Sequence, residues 1–354
     1  MRKMAEIVQI DDIIEHTNAD SLEICVVDGW RCITRKGEFR KGEIAVFIQP
    51  DAWVPHELAP FLSKIREPRI FNGVKGEKLR TVRLRSVVSQ GLLLKVQDAF
   101  KNVNVPFAQF PDIGDDVSEL LNIQKWEAPI PSELAGVMRG NFPSWGRKTD
   151  QDRIQSVFKK IRDNLVNDHW EVSEKLDGSS ASFGKYGDEI VVCSRNLSLK
   201  YEDEDNQRNN TFVRTAIELN IVEGLQTLNQ DVMVSGELIG PGIQGNKYNL
   251  DSHQWRVFDV YDCNESRYMQ ADDRLRLIGE LSTACGNVLK IAPIIHDAIR
   301  FEEDISVDQL IDMAKGFSVL NGKQMREGLV FKNLRDPDVS FKAISPEFLL
   351  KYDD

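Results

Sequence analysis

The sequence predicts an α+β protein in which a small N-terminal β-barrel precedes a domain of antiparallel sheets flanked by helices. Three observations predict it. The first hundred residues alternate apolar and polar positions in short runs broken by turn signals, the pattern of half-buried strands. A stretch from about Val105 to Arg147 carries Pro106, Pro111, Pro129, Pro131 and Pro143, which break any long regular element. Beyond it, helix and strand patterns alternate irregularly, without the glycine-rich strand-to-helix turn of a doubly wound sheet. At ~150 residues per domain, 354 residues allow two domains, each with a core of its own.

The elements follow in order. Leu22–Val27 and Arg31–Thr34 flank Asp28-Gly29, a strong short-hairpin signal. Ile44–Ile48 is an apolar run suited to a buried strand, and Thr81–Val96 supplies two more short runs bent near Ser89-Gln90-Gly91. About five short strands with few helices suggest an OB-type β-barrel, a fold used widely to hold nucleic acid. After the proline-rich stretch, Asp150–Asn167 reads as a helix, and Trp170–Tyr186 and Glu189–Arg195 as strands. A helix over Asn209–Leu228 precedes strands at Val232–Ile239 and Trp255–Tyr261. Helices at Asp272–Cys285 and Val307–Phe317, then strands at Gly328–Lys332 and Ser340–Ile344, complete the pattern. Strands outnumber βαβ units, which favours antiparallel sheets. The expected division is 1–104, a linker over 105–147, and 148–354.

Composition narrows the function. The net charge is -11, with 41% hydrophobic and 29% charged residues, too apolar for a disordered chain. No apolar run approaches the ~20 residues that span a bilayer, so no membrane role is expected. The opening MRKMAEIVQIDD turns acidic before any leader-like apolar stretch, which argues against secretion. Five scattered cysteines without a C-x-x-C pair fit reduced thiols in a cytoplasmic compartment. Five isolated histidines give no metal-ligand spacing.

The net charge hides an asymmetry. Between Leu62 and Arg85 stand Lys64, Arg66, Arg69, Lys75, Lys78, Arg80, Arg83 and Arg85 against only Glu67 and Glu77. That segment is +6 and the remainder therefore -17. One concentrated basic segment on an acidic protein suits local binding of a polyanion, while the bland alternative is a solvated strand face.

The chemistry concentrates after residue 170. Glu174-Lys175-Leu176-Asp177-Gly178-Ser179-Ser180 contains K-x-D-G, a weak signal alone, since adjacent lysine and aspartate are usually a surface pair. Its company strengthens it. Downstream come Ser194-Arg195-Asn196, then Ser235-Gly236-Glu237-Leu238-Ile239-Gly240, then Val257-Phe258-Asp259-Val260-Tyr261. Glu327-Gly328-Leu329-Val330-Phe331-Lys332 and Ser340-Phe341-Lys342-Ala343-Ile344-Ser345 follow. In order and spacing these segments resemble the motifs of the covalent nucleotidyltransferases, the superfamily of RNA ligases, DNA ligases and mRNA capping enzymes.

The residue types suit that chemistry. A lysine attacks phosphorus only as the neutral amine, and its ordinary pKa is ~10.4. Partial burial and a nearby divalent cation are expected to lower that value. Asp177, Glu237 and Glu327 come from three separate segments that can converge, and carboxylates beside a triphosphate need Mg²⁺ or Mn²⁺ between them. Lys332 and Lys342 offer positive charge to an α-phosphate, and Phe258 a flat face for a purine.

The resemblance implies roles residue by residue. Lys175 would form a lysine–AMP phosphoramidate from ATP, and Glu174 would help read the adenine edge. Arg195 would contact ribose or phosphate, Phe258 would stack on the base, and Glu237 would bind the ribose or a metal-bound water. Glu327 would serve the metal and Lys342 the α-phosphate. The segment Phe142–Arg153 resembles the stretch before the lysine motif in some RNA ligases, which would give Lys148 and Arg153 the leaving pyrophosphate. The last motif departs from the common pattern of two lysines separated by one residue, having only Lys342, so either a single lysine suffices or Lys332 covers the second role.

Architecture points within the superfamily. DNA ligases and capping enzymes place an OB domain after the last motif, whereas here only twelve residues follow Lys342 and the barrel precedes Lys175. That order resembles the RNA ligases of the Deinococcus and Naegleria type. His16–Ile24 also resembles the opening of tRNA-binding OB domains. The expectation is an ATP-dependent RNA ligase, monomeric, acting on 3′-OH and 5′-phosphate ends in a nicked duplex. The alternatives are a DNA ligase or capping-type enzyme, and a non-catalytic OB-containing RNA-binding protein.

Overall fold

The computed structural model describes residues 2–64, 66–106, 109–127 and 136–352. Pro129 and Pro131 of the expected linker lie outside the described residues. The chain divides into two units, Met1–Pro129 with Pro346–Asp354, and Ile130–Ser345. The proline-rich stretch supplies a strand to each: Gln124–Lys125 pairs with Ala52–Pro55, and Met138–Asn141 with Leu197–Leu199.

The first unit is built of short antiparallel sheets. Ile44–Ile48 lies between Ala5–Gln9 and Leu92–Lys95. Its alternation splits the strand between two cores, with Val46 and Ile48 in one and Ala45 and Phe47 in the other. A strand apolar on both faces therefore marks a centre and not an edge. Leu22–Val27 and Trp30–Arg35 form the expected hairpin across Asp28-Gly29, with Asp12–Glu15 added on its outer side. The basic segment is itself a hairpin, Arg69–Phe71 with Val74–Lys78, turning at Asn72 and Gly73, both at positive φ. A second hairpin pairs Val82–Leu84 with Val87–Ser89.

The second unit holds two mainly antiparallel sheets. The eight-stranded sheet centres on Ser179–Tyr186, Val232–Ile239 and Gln254–Asp262. Helices Thr211–Glu218, Ile221–Thr227 and Ala271–Cys285 contribute apolar side chains to its core. The expected helix over Asn209–Leu228 is two helices, because Asn220 takes the left-handed conformation at φ 53 that asparagine tolerates. The five-stranded sheet orders Asp152–Arg153, Ser340–Ile344, Gly328–Asn333, Trp170–Lys175 and Ile294–Ile299. Its apolar face packs Trp170, Val172, Phe331 and Phe341 with helices Ile154–Asn167 and Val307–Ala314. Each such buried aromatic or aliphatic side chain contributes about 1.5–3 kcal/mol.

The run Trp170–Tyr186 was expected as one strand and is two, in different sheets. Trp170–Lys175 ends the five-stranded sheet's central stretch, Leu176-Asp177-Gly178 turns the corner, and Ser179–Tyr186 enters the larger sheet. The lysine motif is thus a corner joining two sheets.

Candidate active site

Strand alternation assembles the site. Register pairs Lys175 with Gly328, Ser173 with Val330 and Glu171 with Lys332, while Val330 pairs with Lys342. Glu171, Ser173 and Lys175 therefore share a face with Lys332 and Lys342, opposite the apolar face.

Lys175 stands at the strand's end with its side chain 26% exposed, and its Nζ donates to Glu327 Oε2 at 2.7 Å. Asp177 and Glu237 also act on its charge. Gly178 makes that closeness possible. A Cβ there would lie 2.4 Å from the Leu238 carbonyl oxygen and 3.0 Å from Glu237 Cγ. Its backbone N–H instead donates to Glu237 Oε1 at 3.0 Å.

Burial alone would lower the Lys175 pKa, but Glu327, Glu237 and Asp177 outweigh it and hold the amine above its ordinary value. The lowered value expected from the sequence is not what the free protein has, because three carboxylates surround the ammonium. The same crowding acts in reverse on the acids. Burial pushes Glu237 up to about 8, against the pull of Lys175. Glu327 is likewise raised by burial.

The carboxylates converge on Lys175, and Asp177 acts as a like charge on both Glu237 and Glu327. Among the described residues no three His, Cys, Asp or Glu side chains are grouped to hold a metal ion. Asp177 pairs with Lys247 Nζ at 2.5 Å, and its backbone N–H donates to Tyr248 Oη at 2.7 Å. These oxygens suit a hard cation that keeps part of its water shell, as Mg²⁺ does, and not a closed protein cage.

Phe258 and Glu174, the residues expected to meet a base, sit around the corner. Phe258 lies on Gln254–Asp262, half-buried with Leu176, Ile239, Tyr248 and Ala292. Glu174 falls on the sheet's apolar side and is 2% exposed. One of its oxygens accepts from the Val319 N–H at 2.8 Å, while Oε1 is buried with no hydrogen-bond partner. Burial raises this carboxyl's pKa, against a hydrogen bond from Ser318, the Val319 N–H and the positive charge of Arg326 and Arg256. A buried acceptor without a donor is costly, so Glu174 Oε1 is open to a hydrogen-bond donor.

The cations separate into two roles. Lys342 Nζ lies 3.5 Å from Asp150, and the Arg195 guanidinium 3.7 Å from the same carboxylate. Lys148 donates to Asn196 at 2.9 Å, and Arg153 is buried, its backbone in register with Lys342. Lys148, Arg153, Arg195 and Lys342 are therefore brought together. Lys332 is not among them. Its Nζ is buried against Asp259 at 2.6 Å and also donates to the Phe258 carbonyl. It braces the strand that carries Phe258.

Of the eight basic residues in the first unit, Lys64, Arg66, Arg69, Lys75, Arg83 and Arg85 are exposed, while Lys78 and Arg80 are half-buried. Arg69 pairs with Glu77 at 2.8 Å and Lys78 with Asp51 at 3.5 Å. Sequence reasoning missed Lys247, Tyr248 and Asp150, which hold Asp177, Lys342 and Arg195. Lys247 and Tyr248 sit in an irregular loop with no spacing pattern, so only the fold brings them in.

A nucleotidyltransferase domain preceded in the chain by an OB module is the class that this fold and site define. Residues 168–344 match the family model for RNA ligase, and residues 4–96 match a model described as an OB-fold domain. The chain belongs to the RNA ligase family. Among solved structures it is 38% identical to an apo variant of the Naegleria gruberi RNA ligase, covering 100% of this chain and 99% of that one at a TM-score of 0.87. A second variant of that ligase, with AMP and Mn, is 37% identical over 100% of both chains at 0.87. A third, with ATP and Mn, is 37% identical over 100% of both at 0.86. Comparison with curated proteins gives no match.

Proposed function

We propose that the protein seals RNA breaks bearing 3′-OH and 5′-phosphate ends, using ATP and a divalent cation, through a lysyl-AMP intermediate at Lys175. The observation that carries this reading is the placement of Lys175, partly buried and 2.7 Å from Glu327, beside the unmet buried acceptor of Glu174. The similar Naegleria ligase bound to AMP or ATP with Mn supports the nucleotide and the metal.

In the first step Lys175 sheds a proton, for which Glu327 is the near acceptor, and its nitrogen attacks the α-phosphorus of ATP. The nitrogen–phosphorus bond forms as the bond to pyrophosphate breaks. Lys342 faces the charge developing on the α-phosphate, and Lys148 and Arg153 hold the leaving group. Phe258 stacks on the adenine and Arg195 contacts the ribose or phosphate. Asp177, Glu237 and Glu327 would hold a divalent cation, which would offset charge on the triphosphate. In the second step an RNA 5′-phosphate oxygen attacks the adenylyl phosphorus and frees Lys175. In the third, a 3′-hydroxyl attacks the activated end and AMP leaves.

The basic residues Lys64 to Arg85 are read as contacts to the backbone of a nicked duplex, bound by a monomer. Five free cysteines, two of them directly opposed as Cys25 and Cys32 across a hairpin, favour a reducing, cytoplasmic setting. Sealing assays on a nicked RNA duplex test the reading. Joining of 3′-OH/5′-phosphate RNA with ATP but not GTP, and no joining of an all-DNA nick, is expected. Equal sealing of the DNA nick would overturn it.

A further inference from the structure

Among the described residues Val82–Leu84 and Val87–Ser89 pair as strands only with each other, forming a two-stranded hairpin. The turn between them is Arg85-Ser86, at φ 46 and 73. Two-residue turns with positive φ at both positions strongly favour asparagine and glycine. An arginine and a serine there are strained, and such strain persists where surrounding structure enforces it. Here it is enforced. His16 Nε2 donates to the Leu84 carbonyl at 3.2 Å and Asn18 Nδ2 to the Arg85 carbonyl at 3.2 Å. Ser89 Oγ accepts from the Ile33 N–H at 3.0 Å.

The hairpin's surface is two-sided. Val82 and Leu84 are 43% and 40% exposed on one side, and Arg83 projects from the other, with Arg85 at the tip. Arg83 and Arg85 have no ion-pair partner among the described residues, whereas Arg69 and Lys78 of the neighbouring hairpin are matched to acids. Charge left unneutralised on a rigid projection is complementary to a polyanion, and apolar side chains beside it suit the wide, shallow minor groove of an RNA duplex.

We infer that the Val82–Ser89 hairpin is an RNA-contacting finger, held in a strained turn so that Arg85 stands at its tip. This deepens the reading of the chain as an RNA-sealing enzyme and rests on it. Arg83 and Arg85 meet phosphates, and Val82 and Leu84 lie against the sugar edge.

The test combines thermal melting with binding of a fluorescent nicked RNA duplex over a salt series. Arg85→Gly melts higher than the parent, because glycine accepts the conformation. It also binds RNA several-fold more weakly, with the salt slope reduced by about one. Ser86→Gly melts higher but keeps the parent's affinity and slope. Parental affinity and slope in Arg85→Gly would overturn the inference, as would an equal loss in Ser86→Gly. A parent that binds no RNA would instead overturn the reading beneath it, before any variant is made.

Discussion

Lys332 and Asp259 form an ion pair at 2.6 Å in which each side chain is 5% exposed. Burial lowers the lysine's pKa, against the pull of Asp259 and, more weakly, of Glu171. Lys332→Met leaves a buried, unpaired carboxylate and should destabilise the protein by about 3–5 kcal/mol. Adding Asp259→Leu should recover most of that loss, measured by urea denaturation. A phosphate-binding role without a structural one would leave the single variant's midpoint unchanged.

Glu237 gives a pH dependence with a definite sign. Its pKa of about 8 in the folded protein lies above the ordinary 4.5. Between those values the folded state binds the proton that the unfolded state has released, so its contribution lowers stability as pH rises across that window. Glu237→Gln should therefore melt higher than the parent, by a margin that grows from pH 5 to about 8 and then levels, while losing adenylylation. A margin that shrinks over the same range would contradict the assignment.

Glu174 should set the choice of base. Its unpaired Oε1 is matched by an amine and opposed by a carbonyl. A hydrogen bond to a charged group is worth about 1.5–3 kcal/mol, so Glu174→Ala should erode discrimination of ATP over GTP by roughly 10- to 100-fold. Competition between the two nucleotides for covalent labelling measures it.

Gly178 should admit no side chain. The methyl of Gly178→Ala meets backbone oxygen at 2.4 Å and Ile239 Cγ2 at 2.7 Å. Overpacking of this kind costs about 1–3 kcal/mol. The displaced Glu237 strand should also slow adenylylation more than it lowers the melting temperature. Alanine tolerated with full activity would show that the corner is looser than described.

Much of the site was legible beforehand because the chemistry expected of these motifs restricts residue types. Lys175, Asp177, Glu237 and Glu327 stand out as charged residues at strand ends, and the fold gathers them around one amine. Ile44–Ile48 was legible from its unbroken apolar run. Lys332 was misleading, since a lysine in a motif looks the same whether it faces a phosphate or a buried aspartate. Lys247 carried no signal, because a loop can bring any residue to Asp177. The corner at Leu176-Asp177-Gly178 was hidden by apolar alternation that continues through it from Trp170 to Tyr186. Asn72-Gly73 was legible as a turn, but its surrounding charges drew the reading towards binding and away from the hairpin.

The central claim is a covalent bond between Lys175 and AMP. The direct measurement incubates the protein and Lys175→Met with α-labelled ATP and Mg²⁺, denatures both, and follows retained label. An acid-labile, alkali-stable adduct on the parent, absent from the variant, is the expected result. Label retained by the variant, or none on the parent with nucleotide and metal present, would contradict the account.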